Sequence, residues 1–148
     1  MERPFSVSAL DLLLFTVNLV RPGIHVEGPF IDVKKRGAHR TDFLRQSPHG
    51  VEDLVACYGS FDNVSIVTLA PEIPNMIDSV IPSLVDKHGL VVSIGHSVAT
   101  LDDGERAVCA GARFITHLFN AMQPFHHRDP GLVGRRRTTR GTLLRIDS

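Results

Sequence analysis

The sequence has no excess of charge of either sign: across 148 residues, sixteen Lys and Arg stand against sixteen Asp and Glu. No field of one sign therefore draws nucleic acid or an anionic membrane over the whole surface, and partners have to be argued from local sites. Cysteine is scarce as well. Cys57 and Cys109 form no CxxC spacing, and each falls in an apolar helical pattern, which points to buried free thiols and to a reducing, cytoplasmic compartment. No apolar run has membrane length: Phe5 to Val20 contains Asp11 and falls short of the roughly 20 residues that a spanning helix needs. The stretch after it, "RPGIHVEG", offers no small-residue cleavage site, so the apolar lead, residues 1–22, reads as a buried strand or helix rather than a signal peptide. A GxGxxG phosphate fingerprint is also missing.

What is present is the composition of one globular domain, 43% hydrophobic and 22% charged. Three apolar, β-branched runs stand out: Asn63 to Glu72, Gly89 to Ser97 and Ala112 to Asn120. Their apolar residues are nearly continuous, as in strands buried on both faces. Between the first two, Ile77, Val80, Ile81, Leu84 and Val85 recur at helical spacing, with Pro82 placed to kink the helix and Gly89 to end it. Between the second and third, Thr100 and Asp103 form a capping-box pattern, and Gly111 supplies the stop. A further helix is signalled by Ser47 as cap, Pro48 in the first turn, and a stripe of Val51, Leu54, Val55 and Tyr58. Strands alternating with helices at this rhythm indicate βα units and a parallel sheet. The alternation by itself does not separate an open doubly wound sheet from a barrel. From Gly134 onward the chain is Arg-rich without useful periodicity, and residues 135–148 read as a solvated, poorly ordered tail.

Each apolar run ends in a polar residue followed by a loop: Glu27 after "IHV", Glu72 after "VTLAP", His96 after "VVSIG", His117 after "RFIT". Parallel strands in βα units present their C-terminal ends on one rim, where such folds build sites. One carboxylate and two imidazoles there suit zinc or a similar divalent ion, with a position left open for water. Glu72 lies between Pro71 and Pro74 and reads as a cap for the following helix, outside the ligand set. A second cluster, "NAMQPFHHRDPG", combines Asn120 and Arg128 with two adjacent imidazoles. It is either a polar surface loop or a surface for an anionic or sugar ligand. The loop "KKRGAH" is by itself a basic turn.

Taken together, "HVEGPF", "KKRGAH", "VTLAPE", "SIGHSVATLDDGERAVCAGARFITHLFNAM" and "PFHHRDPGLVG" resemble the N-acetylglucosamine-6-phosphate deacetylase family of the amidohydrolase superfamily, over residues 23–134. The resemblance implies a (β/α)8 barrel, of which this chain holds about half, without the family's small β-sandwich and truncated at both ends. It places a divalent metal, Zn2+ foremost, on Glu27, His96 and His117, and substrate contacts on Ala38, His39, Asn120, Ala121 and Arg128, the last meeting the sugar phosphate. The implied reaction is hydrolysis of the acetamide of N-acetylglucosamine 6-phosphate by a metal-activated water, in a homodimeric enzyme. The family's acid/base Asp belongs to a segment with no counterpart here, so no catalytic residue is assigned, and Asp147 does not match its motif. The isolated chain is therefore expected to be inactive. The alternative reading is a non-catalytic chain that binds metal or pairs with a full-length subunit.

Overall fold

The computed structural model describes residues 23–134 and 144–146. The apolar lead and most of the Arg-rich tail lie outside the described residues. Among the described residues five strands form one sheet, in the order β1 (Ile24–Glu27), β2 (Val64–Leu69), β3 (Val91–Ile94), β4 (Phe114–Thr116) and β5 (Leu144–Ile146). Every neighbouring pair is parallel. Chain order and spatial order coincide, without the reversal that makes the switch point of a doubly wound sheet. Within residues 135–148, read from the sequence as a solvated, poorly ordered tail, β5 is a departure: its backbone pairs with β4, Phe114 opposite Leu144. Three residues are too few to register as a period.

The expected helices form, with changes at their starts. α1 (Val51–Tyr58) is N-capped by Gly50, so Ser47 is not its cap; the Ser47 hydroxyl instead donates to the Pro74 carbonyl at 2.5 Å. The buried stripe is narrower than expected, since Leu54 is fully buried whereas Val55 is 42% exposed. Before α2 (Ile81–Asp86), residues 76–80 form a π-helical turn in which Val80 N–H reaches the Asn75 carbonyl. Pro82 thus stands in the first turn of α2, where its missing N–H costs nothing, rather than kinking a longer helix. α3 (Leu101–Cys109) carries the predicted capping box between Thr100 and Asp103.

These helices cover one face of the sheet. Val67, Leu69, Val92, Ile94 and Ile115 pack there with Leu54, Met76, Val80, Ile81, Leu84, Ala107 and Leu132 in one apolar core. Each fully buried aliphatic side chain contributes about 1.5–3 kcal/mol relative to exposure. Cys57 and Cys109 are free but exposed, a correction to the expectation of burial. The core-facing stripes run through Leu54 on α1 and through Gly104 and Ala107 on α3, which leaves both thiols on the outer sides. Among the described residues, no helix is long and apolar enough to cross a membrane.

Candidate metal centre

Strand register determines which side chains reach the other face. Glu27 lies opposite Thr68, Thr68 opposite Ser93, and alternation puts His25 on the same side as Glu27. The sequence runs had suggested apolar residues on both faces, but this face carries buried hydroxyls: Thr68, Ser93 and Thr116 are fully enclosed. They satisfy one another in a chain, with Ser93 Oγ 2.6 Å from Thr116 Oγ1, Thr116 Oγ1 2.8 Å from Thr68 Oγ1, and Thr68 Oγ1 2.7 Å from His25 Nε2. Burial lowers the His25 pKa, the Glu27 charge opposes that shift, and His117 adds to it. None of these four residues was singled out in the sequence. The available signal was polar residues at alternate positions in strands that otherwise read as core.

At the C-terminal end of this face Glu27, His96 and His117 converge, one ligand atom from each lying within 4.8 Å of the others. Glu27 Oε1 is 2.5 Å from His96 Nε2 and 3.1 Å from His117 Nε2. The His96 and His117 rings meet edge to face at 5.0 Å. His39 joins them from the "RGAH" loop, its Nε2 3.5 Å from Glu27 Oε1 and its ring 5.2 Å from that of His96. Burial of the Glu27 carboxyl raises its pKa. The hydrogen bond from His117, followed by the charge and hydrogen bond of His96, outweighs that effect and holds the group below its ordinary value.

The backbone at the ligands is unusual. His96 and His117 both have left-handed φ, 49° and 53°, a conformation that costs a non-glycine residue about 1–3 kcal/mol and persists only where surrounding bonds over-determine it. Gly95, just before His96, has no room for a side chain: an added Cβ would lie 3.0 Å from the Thr116 carbonyl oxygen. On the first ligand strand, Gly28 turns the chain at φ 67° directly after Glu27, and its carbonyl accepts from Tyr58 Oη at 2.8 Å.

The donor set fits a divalent cation. His96 Nδ1 lies 2.7 Å from the Lys35 carbonyl, which can only accept, so Nδ1 carries the proton. In the neutral ring Nε2 then presents a lone pair to the Glu27 carboxylate oxygen. Two acceptors at that separation require a cation between or beside them, either a proton or a metal ion. Two imidazole nitrogens and one carboxylate oxygen match zinc and its first-row neighbours.

Glu72 has a different role from the cap expected of it. Its carboxylate accepts from Ser97 Oγ at 2.6 Å and from Val98 N–H at 2.7 Å, whereas the turn that follows it has no side-chain cap. Burial raises its pKa above the ordinary value despite these two bonds. The remaining expected residues lie on loops. Ala38 and Asn120 are exposed, and Ala121 is partly buried. The Ala121 carbonyl accepts from Ser97 N–H at 3.1 Å, and Asn120 N–H donates to the His117 carbonyl at 2.6 Å. Arg128 is exposed, and its backbone N–H donates to His126 Nδ1.

No protein-family model matches the chain. Over 113 residues, 76% of its length, it is 56% identical to the N-acetylglucosamine-6-phosphate deacetylase of Danio rerio and 58% identical to that of Homo sapiens. It is 43% identical to that of Lysinibacillus sphaericus. The chain spans 27–28% of the length of these relatives. Among solved structures, the N-acetyl-D-glucosamine-6-phosphate deacetylase of Mycobacterium smegmatis superposes with a TM-score of 0.65 at 38% identity, covering 75% of this chain and 29% of that one. The Pasteurella multocida enzyme also gives 0.65, at 35% identity, covering 85% and 33%. By sequence and by fold, this chain is similar to part of the N-acetylglucosamine-6-phosphate deacetylases, matching a little over a quarter of their length.

Proposed function

We propose that the chain supplies the metal-binding part of a deacetylase acting on N-acetylglucosamine 6-phosphate, built on part of a (β/α)8 barrel. The convergence of Glu27, His96 and His117 at the C-terminal rim of a parallel sheet carries this reading. The sequential strand order supports the barrel, since a closed sheet adds its strands in chain order. A divalent ion, Zn2+ foremost, supplies a Lewis acid and an acidified water when bound. The chain's own residues do the rest of the work assigned here. Glu27 contributes anionic charge, and His96 and His117 present imidazole nitrogens. His39 and Ala38 wall one side of the pocket, Asn120 and Ala121 wall the other, and Arg128 offers a planar fork to the sugar phosphate. The substrate assignment draws on the homologues' name and on the Mycobacterium smegmatis structure of an aspartate-to-alanine variant in complex with N-acetyl-D-glucosamine-6-phosphate, 38% identical to this chain. The two free thiols suit a reducing compartment such as the cytoplasm.

Acetate release from N-acetylglucosamine 6-phosphate in the presence of zinc tests the proposal. Turnover above that of a Glu27→Ala control supports deacetylation by this chain; turnover equal to the control removes it. A second reading, a chain that binds metal without turnover, rests on the same three converging donors, which by themselves hold an ion. Zinc binding without acetate release, lost in a His96→Ala/His117→Ala variant, is the result that reading expects.

A further inference from the structure

His96 stands in left-handed backbone at the tip of β3, and a set of bonds holds it there. Gly95 N–H donates to the Leu69 carbonyl at 3.1 Å, Asp32 N–H to the His96 carbonyl at 2.8 Å, and Ser97 N–H to the Ala121 carbonyl at 3.1 Å. The charged anchor of this set comes from the neighbouring strand's loop. Glu72 accepts from the Ser97 hydroxyl and from Val98 N–H, while Ser97 Oγ in turn accepts from Ala99 N–H at 2.9 Å. A carboxylate receiving two donors forms stronger bonds than a neutral acceptor and fixes both donors in direction.

We propose that Glu72 is a positioning residue for the metal centre: by clamping the Ser97–Val98 turn it holds the His96 imidazole in line with Glu27 and His117. The inference rests on reading those three residues as metal ligands. Glu72 bonds the Ser97 hydroxyl and the Val98 N–H, so its influence runs through the backbone of residues 96–98. Its position also couples the loops that follow β2, β3 and β4, because Ser97 bonds Glu72 on one side and Ala121 on the other. A glutamine at position 72 keeps the shape and can keep the Val98 bond through its Oε1, but it carries no charge and its N–H2 forces the Ser97 hydroxyl to turn from donor to acceptor, so the charge-assisted clamp is lost. Partners behind a ligating imidazole typically tune metal affinity by about 10–100-fold.

The test is Co2+ titration of the full 148-residue chain, read by visible absorption, for the unchanged protein and for Glu72→Gln, Ser97→Ala, the double variant, Glu27→Ala, and Ile81→Val as a destabilised control on the helix side. The expected result is Co2+ binding at least about tenfold weaker in Glu72→Gln, with an altered ligand-field spectrum, and effects of Glu72→Gln and Ser97→Ala that do not add. Ile81→Val binds as the unchanged chain does. A Glu72→Gln chain that binds Co2+ within about twofold, with the same spectrum, overturns the proposal while leaving the ligand reading intact. Binding unaffected by Glu27→Ala overturns the ligand reading, and the proposal with it. Imidazole 15N spectra of the metal-free chain give an independent measure: the His96 Nδ1–H signal is expected to shift in Glu72→Gln, and an unmoved signal also overturns the proposal.

Discussion

The two faces of the sheet are made by the same strands and are equally well enclosed at their centres, yet they solve different problems. On the helix side Val67, Leu69, Val92 and Ile94 are buried against aliphatic side chains. On the other side Thr68, Ser93 and Thr116 are just as inaccessible, but each is polar and hydrogen-bonded to another. The first face gains from area removed from water, about 25 cal/mol per Å2, and tolerates small changes of shape. The second gains little from burial, and its bonds chiefly avoid the penalty of unpaired groups. The apolar face holds the fold together, while the polar face leads from His25 toward Glu27 and the candidate metal centre.

That contrast can be broken from either side. The largest expected effect is on the apolar face, where Leu84→Ala should cost about 2–5 kcal/mol of unfolding free energy, read by urea denaturation. A loss below about 1 kcal/mol would mean that the helix layer is not a packed core. Next, Thr116→Val removes the hydroxyl at the centre of the chain and should cost about 1–3 kcal/mol, because Thr68 and Ser93 each lose a partner. Adding Thr68→Val and Ser93→Ala should recover part of that loss, since an apolar replacement leaves fewer orphaned groups; a further loss would show that the face depends on polarity for more than satisfaction.

The two carboxylates at the rim sharpen the comparison further, in opposite directions. Glu27 titrates below its ordinary value of 4.5, so its contribution to stability is present above about pH 4.5 and is lost as pH falls through the depressed value. Glu72 titrates above 4.5 because it is buried; its contribution is complete below about pH 4.5 and is lost as pH rises through the raised value. In thermal melts followed from acid to neutral pH, Glu27→Gln should flatten the acid limb, and Glu72→Gln should lessen the decline toward neutrality. Identical pH profiles for both variants would contradict these assignments. The smallest effect concerns surface chemistry: Cys57 and Cys109 should both react with a thiol reagent in the native state, without unfolding.

Much of this was legible before the structure, for identifiable reasons. The runs around β2, β3 and β4 announce themselves because a strand enclosed on its helix side needs Val, Ile and Leu. Glu27, His96 and His117 are visible because each is a polar residue at the point where such a run stops. Helix α3 was readable because Thr100 and Asp103 bond within four residues, a contact that local sequence contains entirely. Ser47 and Glu72 were misread for the converse reason. Each stands before a helix as a cap would, but a side chain takes its partner from whatever the fold brings near, here Pro74 for one and Ser97 with Val98 for the other.

The sequence by itself determined the strands β2 to β4, the presence of the three helices and the residues at the strand tips, because periodicity, capping and chain punctuation are local and act over a few residues. Only the tertiary structure decided that His25 and three hydroxyls share a face, that His39 reaches the ligand cluster and that Glu72 holds the His96 turn. Those relations depend on strand register and on contacts between residues as much as 90 positions apart, as between Glu27 and His117. No local pattern encodes them.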